Sequence, residues 1–202
     1  EIVEVIVEES EIEEGYVKII VTRGSDDHNF TIPARSALQP NVLVYGKPID
    51  LNAIEKVQSG VNCITLDDDR GHHCDILSLN QLNNMMARAE AQKKNCYDAV
   101  FIKDGLLTEA SHSNVCIVKA GVIWTPATNE HMIRGVTRSL VLTRAAPSAG
   151  VTSIDEASEP VRFEDMMTAE EVFLTNSQDG IIPVLSIDGN PIGGGKVGDV
   201  TH

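Results

Sequence analysis

The sequence predicts a mixed α/β protein (α/β or α+β). Three observations predict it. Short β-branched runs bounded by Gly, Pro and Asp recur along the whole chain. Segments with apolar residues at three- and four-residue spacing alternate with them. The 202 residues are 42% hydrophobic and 23% charged, enough for a sizeable core in one domain or two small ones. A formal charge of −14 argues against nucleic acid and anionic membrane as partners, since both call for clustered Lys and Arg. No apolar run approaches the ~20 residues of a membrane span, and no signal peptide is visible. Cys63, Cys74, Cys96 and Cys116 lie far apart without CxxC pairing, which fits reduced thiols and a cytoplasmic location. The chain starts at Glu1 inside a patterned segment, so further residues are expected upstream.

In order, "EIVEVIVEESEIEEGYVK" reads as the end of an acidic helix stopped near Gly15. "YVKIIVTRG" and "NVLVYG" are strands, separated by the polar, proline-bearing loop "SDDHNFTIPARSALQP". "VNCITL" is a strand ending at the acidic "DDD". From Ile76 to about Asn95 the spacing predicts a helix with Leu79, Leu82, Met86 and Ala89 on its apolar face and Asp75 as its cap. "YDAVFI" is a strand, and "NVCIVKAGVIWTP" a hairpin turned at Ala120-Gly121. "RGVTRSLVLTRAA" is a helix led by Gly135, and "RFEDMMTAE" a short helix. "EEVFLTNS" is a strand, and "IIPVLSIDGNPIGGG" a hairpin turned at Asp188-Gly189.

Four places carry chemistry. His72, His73, Cys74 and Asp75 are all possible metal ligands, but adjacent residues rarely point at one ion and no second cluster completes four ligands. A polar strand end entering a helix is the preferred reading there, and no metal is expected. At "RGVTR", the amides of Val136 and Thr137 open a helix and can hold an anion, with the Thr137 hydroxyl as a further donor. At "LTNSQDG", Asn176 and Ser177 follow a strand as small polar donors. At "LTEASHSNV", Glu109, Ser111, Ser113 and Asn114 precede a buried strand, a pattern that is most often a turn.

The order of these segments says more than each alone. "DILSLNQLNN", "LTEASHSNV", "RGVTR", "EVFLTNS", "IIPV" and "IGGGKVGDVT" follow one another in a pattern that resembles the fold-type IV, or class IV, pyridoxal-phosphate aminotransferases. That family includes D-amino acid and branched-chain aminotransferases and aminodeoxychorismate lyase. The likeness runs from about Tyr16 to Thr201. It implies the remnant of a small N-terminal α/β domain (residues 1–67), followed by a large cofactor-binding domain (residues 68–202) with a mixed, barrel-like sheet and flanking helices. The start of the first domain and the helix that normally follows "VGDVT" have no counterpart here.

The resemblance also implies roles. Glu109 falls where the family's glutamate pairs with the pyridine nitrogen of pyridoxal 5'-phosphate, keeping it protonated so that the ring accepts electrons. Val136, Thr137 and Ser177 fall on the phosphate cup, and Ile133 on an aliphatic contact to the ring face. Ser111 and Asn114 match positions lining the pocket near Glu109. The family's lysine, which bonds the aldehyde and shuttles the proton, falls on Leu77, which has no amine and can do neither. Lys93, Lys94 and Lys103 are not placed to substitute. Leu77 is open to three readings: a natural loss that leaves a non-catalytic relative binding the cofactor non-covalently, a deliberate substitution, or a misread modified lysine. An intact Glu109 and phosphate cup favour a catalytic parent. In D-amino acid aminotransferases an Arg-x-His in the loop after "VTRG" holds the substrate carboxylate. Here His28 fits the histidine and an aspartate stands in place of the arginine, which puts D-alanine-like specificity in doubt. The same loop crosses a dimer interface in the family, which implies a homodimer acting on an amino acid and a 2-oxo acid.

Overall fold

The computed structural model describes residues 2–25, 39–154 and 160–202, and the chain falls into two compact units, Glu1–Leu51 and Asn52–His202. In the first unit, helix α1 (Ile2–Ser10) precedes an antiparallel pair, β1 (Gly15–Val21) and β2 (Val42–Pro48). Gly15 pairs with Pro48 and Val21 with Val42. The strands separated by the polar loop are therefore one ribbon. Ile6 of α1 and Ile12 lie over Gly46, where an added Cβ would stand 3.2 Å from the Ile12 side chain.

In the second unit come α2 (Leu51–Gln58), β3 (Val61–Asp67), α3 (Leu82–Lys93), β4 (Asp98–Lys103), β5 (Leu106–Ala110), β6 (Asn114–Lys119) and β7 (Val122–Trp124). Helix α4 (Val136–Leu140) continues through a π-helical turn, Val141–Ala145, into α5 (Ala146–Ser148). Then follow β8 (Thr152–Ile154), α6 (Phe163–Met167), β9 (Glu171–Asn176), β10 (Gly180–Ile187) and β11 (Asn190–Pro191). The strands form one mixed sheet in the order β5-β4-β3-β10-β9-β6-β7-β8, with β11 paired to β10. The β3–β10, β3–β4 and β7–β8 pairs are parallel and the rest antiparallel. The unit boundary lies upstream of the 67/68 boundary expected from sequence, because β3 pairs on both sides inside this sheet.

The sheet has to curl. Strand β5 is at one end of the order and β6 is sixth along it, yet only Ser111–Ser113 connect them, and the Ala110 N–H donates to Ser113 O at 2.7 Å. Alternate residues of the central strands then fill opposite sides. Val115, Ile117, Val172, Leu174 and Val100 point into the concave core. Cys116, Val118 and Phe173 point outward beneath the α4–α5 run, while Ala99 and Phe101 meet α3. Strands buried on both faces read as continuous apolar runs, as "VCIV" and "VFL" do.

The helix expected from Ile76 begins only at Leu82. Before it the chain makes tight turns, with Ser78 N–H bonded to Ile76 O at 2.7 Å and Gln81 N–H to Leu79 O at 3.0 Å. Asp75 is therefore not the cap; Gln81 holds that place and makes no side-chain capping bond. The expected apolar face is also outward: Leu79, Leu82 and Met86 are exposed, and Ala87 and Ala91 face the sheet. Alanine lets the helix backbone lie close on β4, which larger side chains would prevent. Helix α2 and strands β5 and β8 were not expected from the sequence. Replacing the fully buried Ala91 with leucine is expected to cost about 1–3 kcal/mol by overpacking, read as a lower urea midpoint at unchanged slope.

Candidate active site

The candidate site forms at the end of the curled sheet where β5 finishes and β6 begins. Glu109, one residue before the end of β5, is 5% exposed. Its Oε2 accepts the Ile133 N–H at 2.9 Å and the Asn114 Nδ2 at 3.3 Å. The Asn114 amide also donates to Ile133 O at 2.7 Å and accepts the Gly135 N–H at 3.1 Å. One side chain thus joins the carboxylate to the residue that precedes α4. The first helical bond of that run is Ser139 N–H to Gly135 O at 3.0 Å, so the amides of Val136 and Thr137 precede the ladder and are open to a ligand. Asn114 pairs with Thr175 across β6 and β9, which places Ser177 just beyond this pair at the same sheet end. The Thr175 hydroxyl beside it is buried without a partner among the described residues.

Sequence reasoning missed Arg70. It follows the "DDD" that ends β3, and it organises the site. Its Nη1 meets Glu109 Oε1 at 2.6 Å, and its Nε and Nη2 hold Asp68 at 2.9 and 2.8 Å. Nη2 also donates to His131 O at 2.9 Å, and the guanidinium lies 4.3 Å from the centre of the Phe101 ring. Asp68 accepts the Thr108 hydroxyl at 2.7 Å besides. Burial raises the Glu109 carboxyl above its ordinary value, and the Arg70 guanidinium offsets part of that rise. Burial also works against the charge of Asp68, but the hydrogen bonds from Arg70 and Thr108 outweigh it and the net shift is downward. An Arg two residues after an Asp at a strand end was the available signal.

Arg70, Glu109 and Ile133 line a cavity of about 290 Å³ together with His72, His73, Cys74, Ile76, Ser78 and residues 80–84, whereas Leu77 is not part of its wall. That is near the lower end of ligand clefts, ~300–1,000 Å³. Val136, Thr137, Ser177, Ser111 and Asn114 are not among its lining residues. Ser111 is a structural tie: its hydroxyl donates to the buried Asp98 and its carbonyl accepts Asn84 Nδ2 at 2.9 Å. Leu77 sits in the turns before α3 and is 74% exposed. No lysine lines the cavity among the described residues. His28 lies outside the described residues. Of the possible metal ligands, His72 gathers with Glu130 and His131, their ligand atoms within 4.8 Å of one another, rather than with His73 and Cys74.

An added Cβ on Gly135 would stand 2.1 Å from Asn114 Oδ1. Gly135→Ala is therefore expected to destabilise the protein by about 1–3 kcal/mol. Asn114→Ala, which strips partners from Glu109, Ile133 and Gly135, should cost a similar ~1–3 kcal/mol. In urea unfolding the two losses should be less than additive, because the first substitution clashes with a side chain that the second removes.

Residues 1–187 match the family described as amino-transferase class IV. The chain is 38% identical over 188 residues to a D-alanine aminotransferase of Bacillus licheniformis, covering 93% of this chain and 64% of the relative. It is 34% identical over 202 residues to a D-alanine aminotransferase of Listeria monocytogenes, covering 100% and 68%. It thus spans about two thirds of the length of these relatives. Among solved structures, a branched-chain aminotransferase of Thermoproteus uzoniensis superposes with a TM-score of 0.84 at 24% identity, covering 99% of this chain and 65% of that one. A putative 4-amino-4-deoxychorismate lyase of Legionella pneumophila superposes with a TM-score of 0.77 at 19% identity, covering 93% and 67%. With the match running through nearly the whole chain, and with the curled mixed sheet that these structures share, the chain belongs to the amino-transferase class IV family.

Proposed function

We propose that this chain carries the pyridoxal 5'-phosphate site of an enzyme that transfers amino groups between an amino acid and a 2-oxo acid, and that with leucine at position 77 it holds the cofactor without a covalent bond. The observation that carries the reading is the buried Glu109 carboxylate at the cavity wall, one Asn114 side chain away from the opening amides of α4. The residues present fit the cofactor's two polar ends. Glu109 offers a carboxylate to a protonated ring nitrogen. The amides of Val136 and Thr137, with the hydroxyls of Thr137 and Ser177, offer donors to a phosphate, and the orphaned Thr175 hydroxyl lies on the same strand end. Ile133 fixes Glu109 through its own N–H while presenting an aliphatic side chain to the cavity. A similar fold, that of a branched-chain amino acid aminotransferase complexed with N-(5'-phosphopyridoxyl)-L-glutamate, accords with this cofactor class.

When bound, the cofactor supplies an electron sink for breaking a Cα–H bond. The protein's part is charge and position. Glu109, held by Arg70, Asn114 and the Ile133 amide, keeps a proton on the ring nitrogen. The amides of Val136 and Thr137, outside the cavity wall but tied to Glu109 through Asn114 and Gly135, would hold the phosphate. Leu77 has no titratable atom with which to shuttle a proton, and among the described residues no lysine lines the cavity.

The D-alanine aminotransferase relatives suggest a D-amino acid as the substrate class. We also place the protein in the cytoplasm, where its four cysteines stay reduced. No helix among the described residues is long and apolar enough to cross a membrane. A homodimer is supported by Leu77, Leu79, Leu82, Met85 and Met86, large apolar side chains left exposed just before and along the start of α3.

Incubation with pyridoxal phosphate, borohydride reduction and intact-mass measurement test the site. The chain as it stands is expected to bind the cofactor saturably, release it on dialysis and gain no mass, whereas Leu77→Lys should gain one cofactor adduct. No saturable binding, or no adduct on the lysine variant, overturns the reading. Light scattering should give twice the chain mass of 21.9 kDa; a monomer at micromolar concentration rejects the dimer.

A further inference from the structure

We propose that Arg70 is the positioning residue that keeps Glu109 ionised, so that the acidic end of the cavity is set for a protonated heteroaromatic nitrogen by a guanidinium that itself need not touch the reacting atoms. The inference rests on the cofactor reading above and deepens it.

The geometry carries it. Glu109 is enclosed, with its side chain 6% exposed, and Arg70 is as enclosed at 4%. A carboxyl buried without a cation takes up a proton, since desolvation penalises its charged form. A protonated Glu109 would offer its own O–H to a ring nitrogen as donor and would leave that nitrogen neutral. Arg70, at 2.6 Å, opposes that protonation. The second oxygen receives only neutral donors, the Ile133 N–H and the Asn114 amide, so Arg70 supplies the cationic partner on the carboxylate.

Arg70 is in turn fixed from three further sides. Asp68 binds it through two nitrogens, His131 O accepts from Nη2, Phe101 covers its face, and Thr108 locks Asp68. A lysine could supply the charge but not this fork. With Asp68, Arg70 and Glu109 all charged, the group carries a net negative charge that suits a cationic ring N–H and disfavours an anionic ligand end. The other titratable groups facing this end are Cys74, His72 and His73 on the cavity wall, and Asp68 on the far side of Arg70. Asp68 pushes the carboxyl up, so removing Arg70 leaves that repulsion unopposed.

The experiment uses the full chain without cofactor first. The Glu109 carboxyl carbon is followed by 13C NMR across pH, its signal assigned by Glu109→Gln. Arg70→Met, similar in length and uncharged, is expected to raise the Glu109 midpoint by about 1–3 pH units, a tenfold to thousandfold gain in proton affinity. Arg70→Lys should keep the midpoint within about one unit of the parent, because it retains the charge. Should the methionine variant fail to fold by circular dichroism, the same titration is made on the Asp68→Asn,Arg70→Met pair, which removes both charges and should still show a raised midpoint. An unchanged midpoint in a folded variant lacking the guanidinium overturns the proposal. The second readout is the 15N shift of ring-labelled pyridoxal phosphate bound to the protein. It should report a protonated nitrogen in the parent and in Arg70→Lys and a neutral one in Arg70→Met; a protonated nitrogen in folded Arg70→Met overturns it. If the parent binds no cofactor, the reading of the site falls while the carboxyl titration still decides the role of Arg70.

Discussion

The return of β5 to β6 through Ser111–Ser113 is the constraint on which the rest of the second unit depends. A strand at the edge of a sheet is joined, by a link too short to span an open sheet, to a strand five places along, so the sheet closes on itself. The link is tied down by the buried Asp98, which accepts the Ser111 hydroxyl and the Ala99 N–H, and by Asn84, whose amide bonds Ser111 O. Closure brings Glu109 at the end of β5 beside Asn114 at the start of β6. Without it the acid and the helix opening would belong to opposite ends of the sheet.

Placing charge inside this closed end is costly, and the structure meets the cost by pairing. Asp68, Arg70 and Glu109 alternate in sign, and nearly every polar atom has a partner at hydrogen-bond distance. Removing one member of such a chain strands the others, while the whole chain adds little net stability over an apolar replacement. Two of its members, Arg70 and Glu109, lie in the cavity wall. The Tyr97–Asp179–Asn176 cluster differs: there the Tyr97 hydroxyl, Asp179 and Asn176 knit the end of β9 to the sheet below it and face no cavity ligand.

What was legible in the sequence follows from which forces are local. Strands buried on both faces announced themselves as unbroken apolar runs, and the hairpins at Ala120-Gly121 and Asp188-Gly189 by residues that tolerate positive φ, as all four do here. Motif order reached Glu109, Asn114 and Gly135, which the structure links through hydrogen bonds. Strand β5 was read as a turn because Glu109 is polar and followed by hydroxyls; its burial depends on Arg70, 39 residues earlier in the chain, which no local pattern reveals. The misplaced start of α3 has a similar origin. Leu79, Leu82 and Met86 have helical spacing, but the periodicity cannot say which face meets the sheet, and close packing on β4 selected the alanines.

The position of Leu77 has an evolutionary corollary. A side chain projecting from a turn, three quarters open to solvent, adds little to the packing of the protomer. Selection for a stable chain is therefore nearly blind to that codon. The residue kept at such a place is therefore set by what the exposed surface does rather than by the folding of this chain, and it can change while the architecture around it stays intact.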